Sequence, residues 1–424
     1  MSNRYSSIND NPQLDVLSVW LYALLVLVGL LSIYSATSEV NQTFQFSFSG
    51  PAGRQLIWIG GAVIIILTIA FANVAVIDYF AYGFYGVAII LNILVLFLGK
   101  EVSGAKSWFG IGSFGIQPSE FAKVATALAV AKYLGTYGVK FKGGKNVLYT
   151  LGIVLLPMLI ILLQNDTGSA LVFLSFFLVL YREGLPGWIL LAALWIGGIA
   201  ITWIVLSAKE ISLLWLHGVI WSLGATVIWF SRKNRQIIIV TLLIAGISSL
   251  FSAGVGFAWK KVLKDYQRDR IELVLGLKQD VKGMGYNLEQ SKIAIGAGKF
   301  VGRGYLKGTQ TKMGFVPEQH TDFIFCTIAE EWGFMGVTVF FLLYTGLLWR
   351  LIILAERQST VFGRVLGYSV LCILFFHFSI NIGMTIGMVP VIGIPLPFVS
   401  FGGSSLWAFT LLLFTFLKVD EKRR

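Results

Sequence analysis

The chain has 424 residues, 56% hydrophobic, 14% aromatic and 13% charged, with a formal net charge of +12. Soluble domains carry roughly 25% charged residues, which excludes a water-soluble globular protein, and the alternating strands of a β-barrel are missing. Repeated apolar runs of about 18 or more residues instead predict an all-α, polytopic membrane protein, whose basic residues lie between the runs and so point to topology, membrane lipid headgroups and phosphate-bearing ligands rather than nucleic acid.

The first sixteen residues are polar, and the apolar run after them is too long for a signal-peptide core, so it reads as a retained first helix. Helices are predicted near 16–36, 55–76, 79–98, 119–135, 147–163, 168–182, 188–206, 212–230, 236–258, 323–353, 362–382 and 404–418. These twelve form one integral membrane domain over 1–424. The fourth and sixth are short and rely on neighbours for burial, and residues 323–333 read as a turn leading into the tenth. Lys140, Lys142 and Lys145 fall on one side with Arg232, Lys233 and Arg235. Arg357, Arg364 and Lys422-Arg423-Arg424 join them, marking the cytoplasmic side and placing both termini there. The two cysteines, Cys326 and Cys372, lie in apolar segments and imply neither a disulfide framework nor a metal site.

Three segments on the opposite side break the pattern. Residues 99–118 (GKEVSGAKSWFGIGSFGIQP) are glycine-rich and too irregular for a span. Residues 383–403 hold three of the nine prolines yet stay apolar. Irregular backbone at membrane depth needs protein or water over its polar groups, so a re-entrant or cavity-lining loop is expected there. Residues 259–322 form a large extracytoplasmic loop with twelve Lys or Arg and seven Asp or Glu. Interleaved aromatic and apolar residues (Tyr266, Leu273, Tyr286, Ile293, Phe300, Tyr305) favour a cap serving an anionic ligand over a solvated loop.

Ionisable side chains within membrane helices are costly and face a bundle interior or wet cavity. Glu120 and Lys123 share one helix face in QPSEFAK, where a structural ion pair near the helix start weighs evenly against function. Lys123, a turn deeper, points more to a ligand. Asp166 in QNDTGSAL reads as a helix N-cap. Of Glu330 and Glu331, one is expected to face inward. His377, mid-span, suits a hydrogen bond to a neighbouring helix. In PEQHTDFIF, Asp322 ends the polar loop where the apolar tenth segment begins. On spacing alone, Thr321 or Asp322 reads first as a cap for that helix. Partial desolvation also suits a carboxylate to general-base work. Residues 296–308 are glycine-rich but lack phosphate-loop spacing.

GYNLEQSKIAIGAGKFVGRGYLKGTQTKMGFVPEQHTDFIFCTIAEEWGFMG resembles the long outer loop and following helix of the SEDS (shape, elongation, division and sporulation) family. GAKSWFGIGSFGIQPSEFAK, QNDTGSALVF and NIGMTIGMVPVIGIPLPFVSFGGSS are similar to its other signatures, so the resemblance covers the whole chain. GTQTKMGFVPEQHTDFIF is closer to the rod-shape branch than to the division branch. The resemblance implies a peptidoglycan glycosyltransferase that polymerises lipid II at the outer face of the cytoplasmic (inner) membrane. It also implies a class B penicillin-binding protein partner and the elongation machinery of cell-wall growth. The family's essential acid falls on Asp322, its QPSE-AK pair on Glu120 and Lys123, and its loop acid on Asp280. Three positions depart from the family pattern: Asn165 stands for a proline, Phe401 for a tyrosine, and Ser107 for a basic residue. The family has ten helices, so 185–235 reads as an inserted helical pair.

Such chemistry requires a base near the attacking 4-hydroxyl and positive charge near the leaving pyrophosphate. Asp322 is assigned the first role. Lys123, with Lys106, Lys292 and Arg303 in the outer loops, is assigned the second, and Glu120 orients Lys123 or the headgroup. A divalent cation (Mg or Mn) is compatible with a pyrophosphate, but no ligand spacing calls for a metal site. A lipid II flippase and a non-catalytic scaffold for the penicillin-binding protein are the alternatives. The first expects ionisable groups along a whole transit path, and the second leaves Glu120 and Lys123 unexplained.

Overall fold

The computed structural model describes residues 14–38, 50–102, 104–111, 114–136, 144–261, 263, 265–275, 277 and 284–421. In chain order they form α1 (Val16–Thr37), α2 (Pro51–Phe71), α3 (Val74–Leu98), β1 (Lys100–Val102), β2 (Ala105–Ile111), β3 (Phe114–Ile116), α4 (Pro118–Gly135), α5 (Gly144–Leu163) and α6 (Thr167–Val172). After a 3-10 turn at Phe173–Ser175 come α7 (Phe176–Arg182), α8 (Gly187–Ala208), α9 (Leu214–Phe230), α10 (Arg235–Lys261), α11 (Asp265–Val274), α12 (Met284–Ala297), α13 (Thr309–Lys312), α14 (Ile324–Glu356), α15 (Val361–Ile386) and α16 (Gly403–Glu421). Each of the twelve predicted segments is helical. Among the described residues nine helices are long and apolar enough to cross a membrane, with two shorter apolar ones at 167–182 and 214–230. The protein is a multi-pass membrane protein.

The described residues fall into two compact units. The smaller, residues 186–286 with 388–391, carries α8 to α11. Its core is Ile199, Trp203, Ile204, Leu216, Ile220 and Ala245, and the Trp195 indole donates to Ser248 Oγ at 3.0 Å. The segment 185–235, expected as an inserted pair, supplies α8 and α9.

The larger unit is built around α4, which is too polar to cross a bilayer alone. Fourteen of its eighteen residues are buried, against α3, α5, α15 and α16. Protein rather than lipid therefore surrounds it, which is the setting in which charged residues survive at membrane depth. Pro118 occupies the first helical turn, where a missing N–H costs nothing, and Glu120 there complements the helix dipole. At the start of α1, Asp15 accepts from Ser18 N at 3.0 Å, and Arg350 of α14 donates to both of its oxygens.

Two loops differ from expectation. Residues 99–118, expected to be irregular, contain an antiparallel sheet in the order β1-β2-β3. Their glycines hid the alternation that normally marks a strand. Residues 323–333 are helical from Ile324 onward, not a turn leading in, and the irregularity falls at Gly333, with φ 63 and ψ −164. The broken turn exchanges hydrogen bonds with residues 299–304. Arg303 N donates to Glu330 O (3.0 Å), Gly304 N to Glu331 O (2.9 Å), Phe334 N to Lys299 O (2.9 Å) and Met335 N to Phe300 O (3.1 Å). Residues 299–304 are thus stitched into α14 through groups that an unbroken helix would use itself.

Gly333→Ala should break this join. Its φ and ψ lie in a region open essentially to glycine alone, costing other residues about 1–3 kcal/mol. A Cβ there would also lie 2.2 Å from Gly302 N and 2.8 Å from Gly298 O. The expected result is a clearly lower melting temperature and faster proteolysis within residues 298–304. An unchanged melting temperature would refute the account.

Candidate active site

Asp322 is half-buried in the turn before α14, and its surroundings are fixed through main-chain atoms on both sides. Asn381 Nδ2, on α15, donates to Asp322 O and to Ile394 O, each at 2.8 Å. Ser400 Oγ donates to Thr321 O at 2.7 Å, and Phe401 N to His320 O at 2.9 Å. Residues 320–322 are therefore laced to the irregular stretch 392–402. That stretch satisfies its own polar groups as well: Leu396 N donates to Ser400 Oγ, and Ser400 N to Leu396 O. Gly393, at φ 69, faces the carboxylate, and a Cβ there would lie 3.3 Å from Asp322 Oδ2. The irregular, protein-covered backbone expected within 383–403 is present over 392–402.

The expected capping role is corrected. The cap position of α14 belongs to Phe323, with no side-chain cap hydrogen bond. The Thr321 hydroxyl instead bonds Glu318. A Phe–Ile–Phe run starts the helix without a cap because its first turn is held by packing, with Phe323, Ile324 and Phe325 all buried. His320 packs against Phe401 at 5.6 Å. Burial lowers its pKa below the usual range, with the Glu318 charge acting the other way.

His377, one turn before Asn381 on α15, meets a buried pair of charges. Glu120 and Lys123 are 2% and 1% exposed, and Lys123 Nζ donates to Glu120 Oε1 at 2.8 Å. Lys123 Nζ also sits 2.9 Å from His377 Nε2 and 5.2 Å from the centre of the Phe409 ring. His377 Nδ1 lies 3.1 Å from Pro395 O. An ammonium only donates and a carbonyl only accepts, so Nε2 accepts and Nδ1 carries the proton. This geometry makes His377 the neutral Nδ1–H tautomer. The predicted bond from His377 to a neighbouring helix is thus one to Lys123 of α4.

Asp166 caps α6 by accepting from Ser169 N at 3.0 Å, and also accepts from Gln117 Nε2 at 2.8 Å. Gln117 N in turn donates to Ser404 Oγ at 3.2 Å. Asn165 has φ 62, which a proline ring cannot reach, so the departure from the family pattern here changes the turn itself. One of Glu330 and Glu331 is expected to face inward, and both are buried. Glu330 accepts from the backbone N–H groups of Thr309, Gln310 and Thr311, holding the start of α13. Glu331 accepts from Ser35 of α1. Two different partners satisfy two adjacent acids, which helical periodicity alone cannot foresee.

The structure links Asp322 to the Glu120–Lys123 pair only through α15, with Asn381 on the Asp322 carbonyl and His377 on Lys123 Nζ. It places the other cations separately. Lys106 Nζ donates to Phe97 O at the end of α3 (3.1 Å), exposed Lys292 lies beside Gly387, and exposed Arg303 donates to Ala297 O with Nε 3.9 Å from Glu330 Oε1. Asp280 lies outside the described residues. Among the described residues no three His, Cys, Asp or Glu side chains converge to hold a metal ion. Asn381, Ser400 and Gln117 were missed by sequence reasoning. The one available signal was Asn381 following His377 by four residues, two polar side chains on one face of an apolar helix.

The sequence matches the profile of the FtsW, RodA and SpoVE cell cycle proteins over residues 15–217 and 216–424. It is 35% identical to the peptidoglycan glycosyltransferase RodA of Treponema pallidum, covering 90% of this chain and 91% of that one. It is also 35% identical to the peptidoglycan glycosyltransferase MrdB of Escherichia coli, covering 90% of this chain and 88% of that one. A chain in a solved structure, described as structural coordination of polymerization and crosslinking by a peptidoglycan synthase complex, superposes with a TM-score of 0.70 at 27% identity. That match covers 97% of this chain and 98% of that one.

Proposed function

The chain belongs to the family of FtsW, RodA and SpoVE cell cycle proteins, and on that premise we propose that it is a peptidoglycan glycosyltransferase of the RodA kind. It polymerises lipid II into glycan strands during cell elongation. The observation that carries this reading is the placement of Asp322. A half-buried carboxylate is fixed by its backbone between α15 and the 392–402 stretch, and the same helix contacts a buried ion pair one turn earlier.

In the reaction, the acceptor's 4-hydroxyl attacks the anomeric carbon of the donor sugar. Asp322 takes the hydroxyl proton as the new C–O bond forms. The bond from that carbon to the pyrophosphate breaks, and the polyprenyl pyrophosphate leaves with the electron pair. General-base assistance of this kind contributes about 10²–10⁴-fold. Lys123 is enclosed and acts through its field, while Glu120 and His377 hold its ammonium in place. Direct contact with the pyrophosphate falls to the more accessible cations, for which half-buried Lys106 and exposed Lys292 and Arg303 are the candidates, with Asp280 a further loop acid.

The positive-inside tendency of the basic loops supports a topology with both termini in the cytoplasm and Asp322 at the outer face of the inner membrane. A class B penicillin-binding protein supplies crosslinking beside it. The α8–α9 pair is an addition to the ten-helix plan, and its even number keeps the outer loop outside.

The test uses the purified chain with its penicillin-binding partner, fluorescent lipid II, and a β-lactam to block crosslinking. Glycan ladders are expected. Lipid II scrambling in liposomes without ladders would replace the enzyme with a flippase.

A further inference from the structure

We propose that Asn381 is the positioning residue of the reaction: its amide sets where Asp322 stands, and with His377 one turn away it makes α15 the spacer between Asp322 and the buried Glu120–Lys123 pair. The proposal rests on the reading of Asp322 as the base.

The geometry is specific. Asn381 is fully buried, and its Nδ2 has two protons and two acceptors, Asp322 O and Ile394 O, each at 2.8 Å. One side chain therefore ties the residue carrying the carboxylate to the loop that faces that carboxylate at Gly393. Four residues earlier on the same helix face, His377 bridges Pro395 O and Lys123 Nζ. Residues 394 and 395 are thus gripped by successive turns of α15, and the two grips lead to the two charged groups of the site. An amide suits the upper grip because both partners are carbonyls, which need donors. The lower grip needs one donor and one acceptor, which a neutral imidazole supplies. The Asn381 Oδ1 atom is buried and takes no part in holding either carbonyl.

A residue that only supports folding would lower the amount of active protein. One that positions the base lowers the rate of each folded molecule. Asn381→Asp keeps the shape but turns the donor into an acceptor facing two carbonyls. Asn381→Leu keeps the approximate volume and removes the donor. Asn381→Gln returns an amide.

The experiment measures initial ladder formation against lipid II concentration for the full chain with its penicillin-binding partner, normalised to folded complex by size exclusion. The Asp and Leu variants are expected to lose about 100-fold in kcat, the scale of a misplaced catalytic group. KM should stay within about threefold of wild type, the pattern of an interaction that matters only in the transition state. Asn381→Gln should recover part of the lost rate. A wild-type kcat in Asn381→Asp, or loss of the folded complex in both the Asp and Leu variants, would overturn the proposal. Asp322→Ala is run beside them. If it polymerises normally the parent reading falls; if it is inactive while Asn381→Asp is normal, the positioning proposal alone falls.

Discussion

Asp322→Asn is expected to abolish glycan ladders, lowering the polymerisation rate by about 10²–10⁴-fold, in a chain that still folds. Both halves follow from how the residue is held. Its place depends on Asn381 bonding its carbonyl, and on Ser400 and Phe401 bonding the carbonyls of Thr321 and His320. Those contacts survive a change of side chain. The cap position it might have filled belongs to Phe323, so no helix end is lost either. Asparagine is nearly isosteric but cannot take a proton from the attacking hydroxyl. Asp322→Glu keeps the carboxylate and lengthens the arm, with Gly393 pressed close to Oδ2. Its rate should fall between those of wild type and Asp322→Asn. Ladders at the wild-type rate from Asp322→Asn would end the general-base assignment. A protein that only recruits its penicillin-binding partner would show no such difference.

The sequence made the class and the helices legible because membrane burial imposes long apolar runs that few other structures require. It also exposed Glu120, Lys123 and Asp322, since charge at the edge or interior of such runs is rare. What stayed hidden was pairing. Nothing in QPSEFAK says that Lys123 will reach His377, 254 positions away, or that the pair will be sealed from solvent. Nothing in LCILFFHFSINIG says that Asn381 will hold the carbonyl of Asp322. A main-chain carbonyl is present at every position, so its partner cannot be read from residue type. The break at Gly333 was hidden for a related reason. Glycine is tolerated in a helix, and only the approach of residues 298–304 turns tolerance into a break. The missing cap at Phe323 shows the converse, that a capping signal yields where tertiary packing already fixes the first turn.

The buried pair supplies the second large effect. Lys123→Met and Glu120→Gln, made singly, are expected to destabilise the protein strongly. Lys123→Met should approach the roughly 3–5 kcal/mol seen when one partner of a buried pair is removed. With methionine at 123, the buried Glu120 carboxyl would have no ammonium beside it, and its Oε2 already lacks a hydrogen-bond partner. With glutamine at 120, Lys123 would retain only His377 and the Phe409 face. The double variant removes both charges together. It should therefore melt well above the value expected from adding the two single losses, since replacing a whole buried pair is often nearly neutral. Additive losses would mean that the two charges do not depend on each other, contrary to their 2.8 Å contact. The double variant also separates folding from chemistry. If the pair exists only to hold α4 against α15, a well-folded double variant should polymerise lipid II. If its ammonium supplies the field that the leaving pyrophosphate needs, that same folded protein should make no ladders, and this is the expected result.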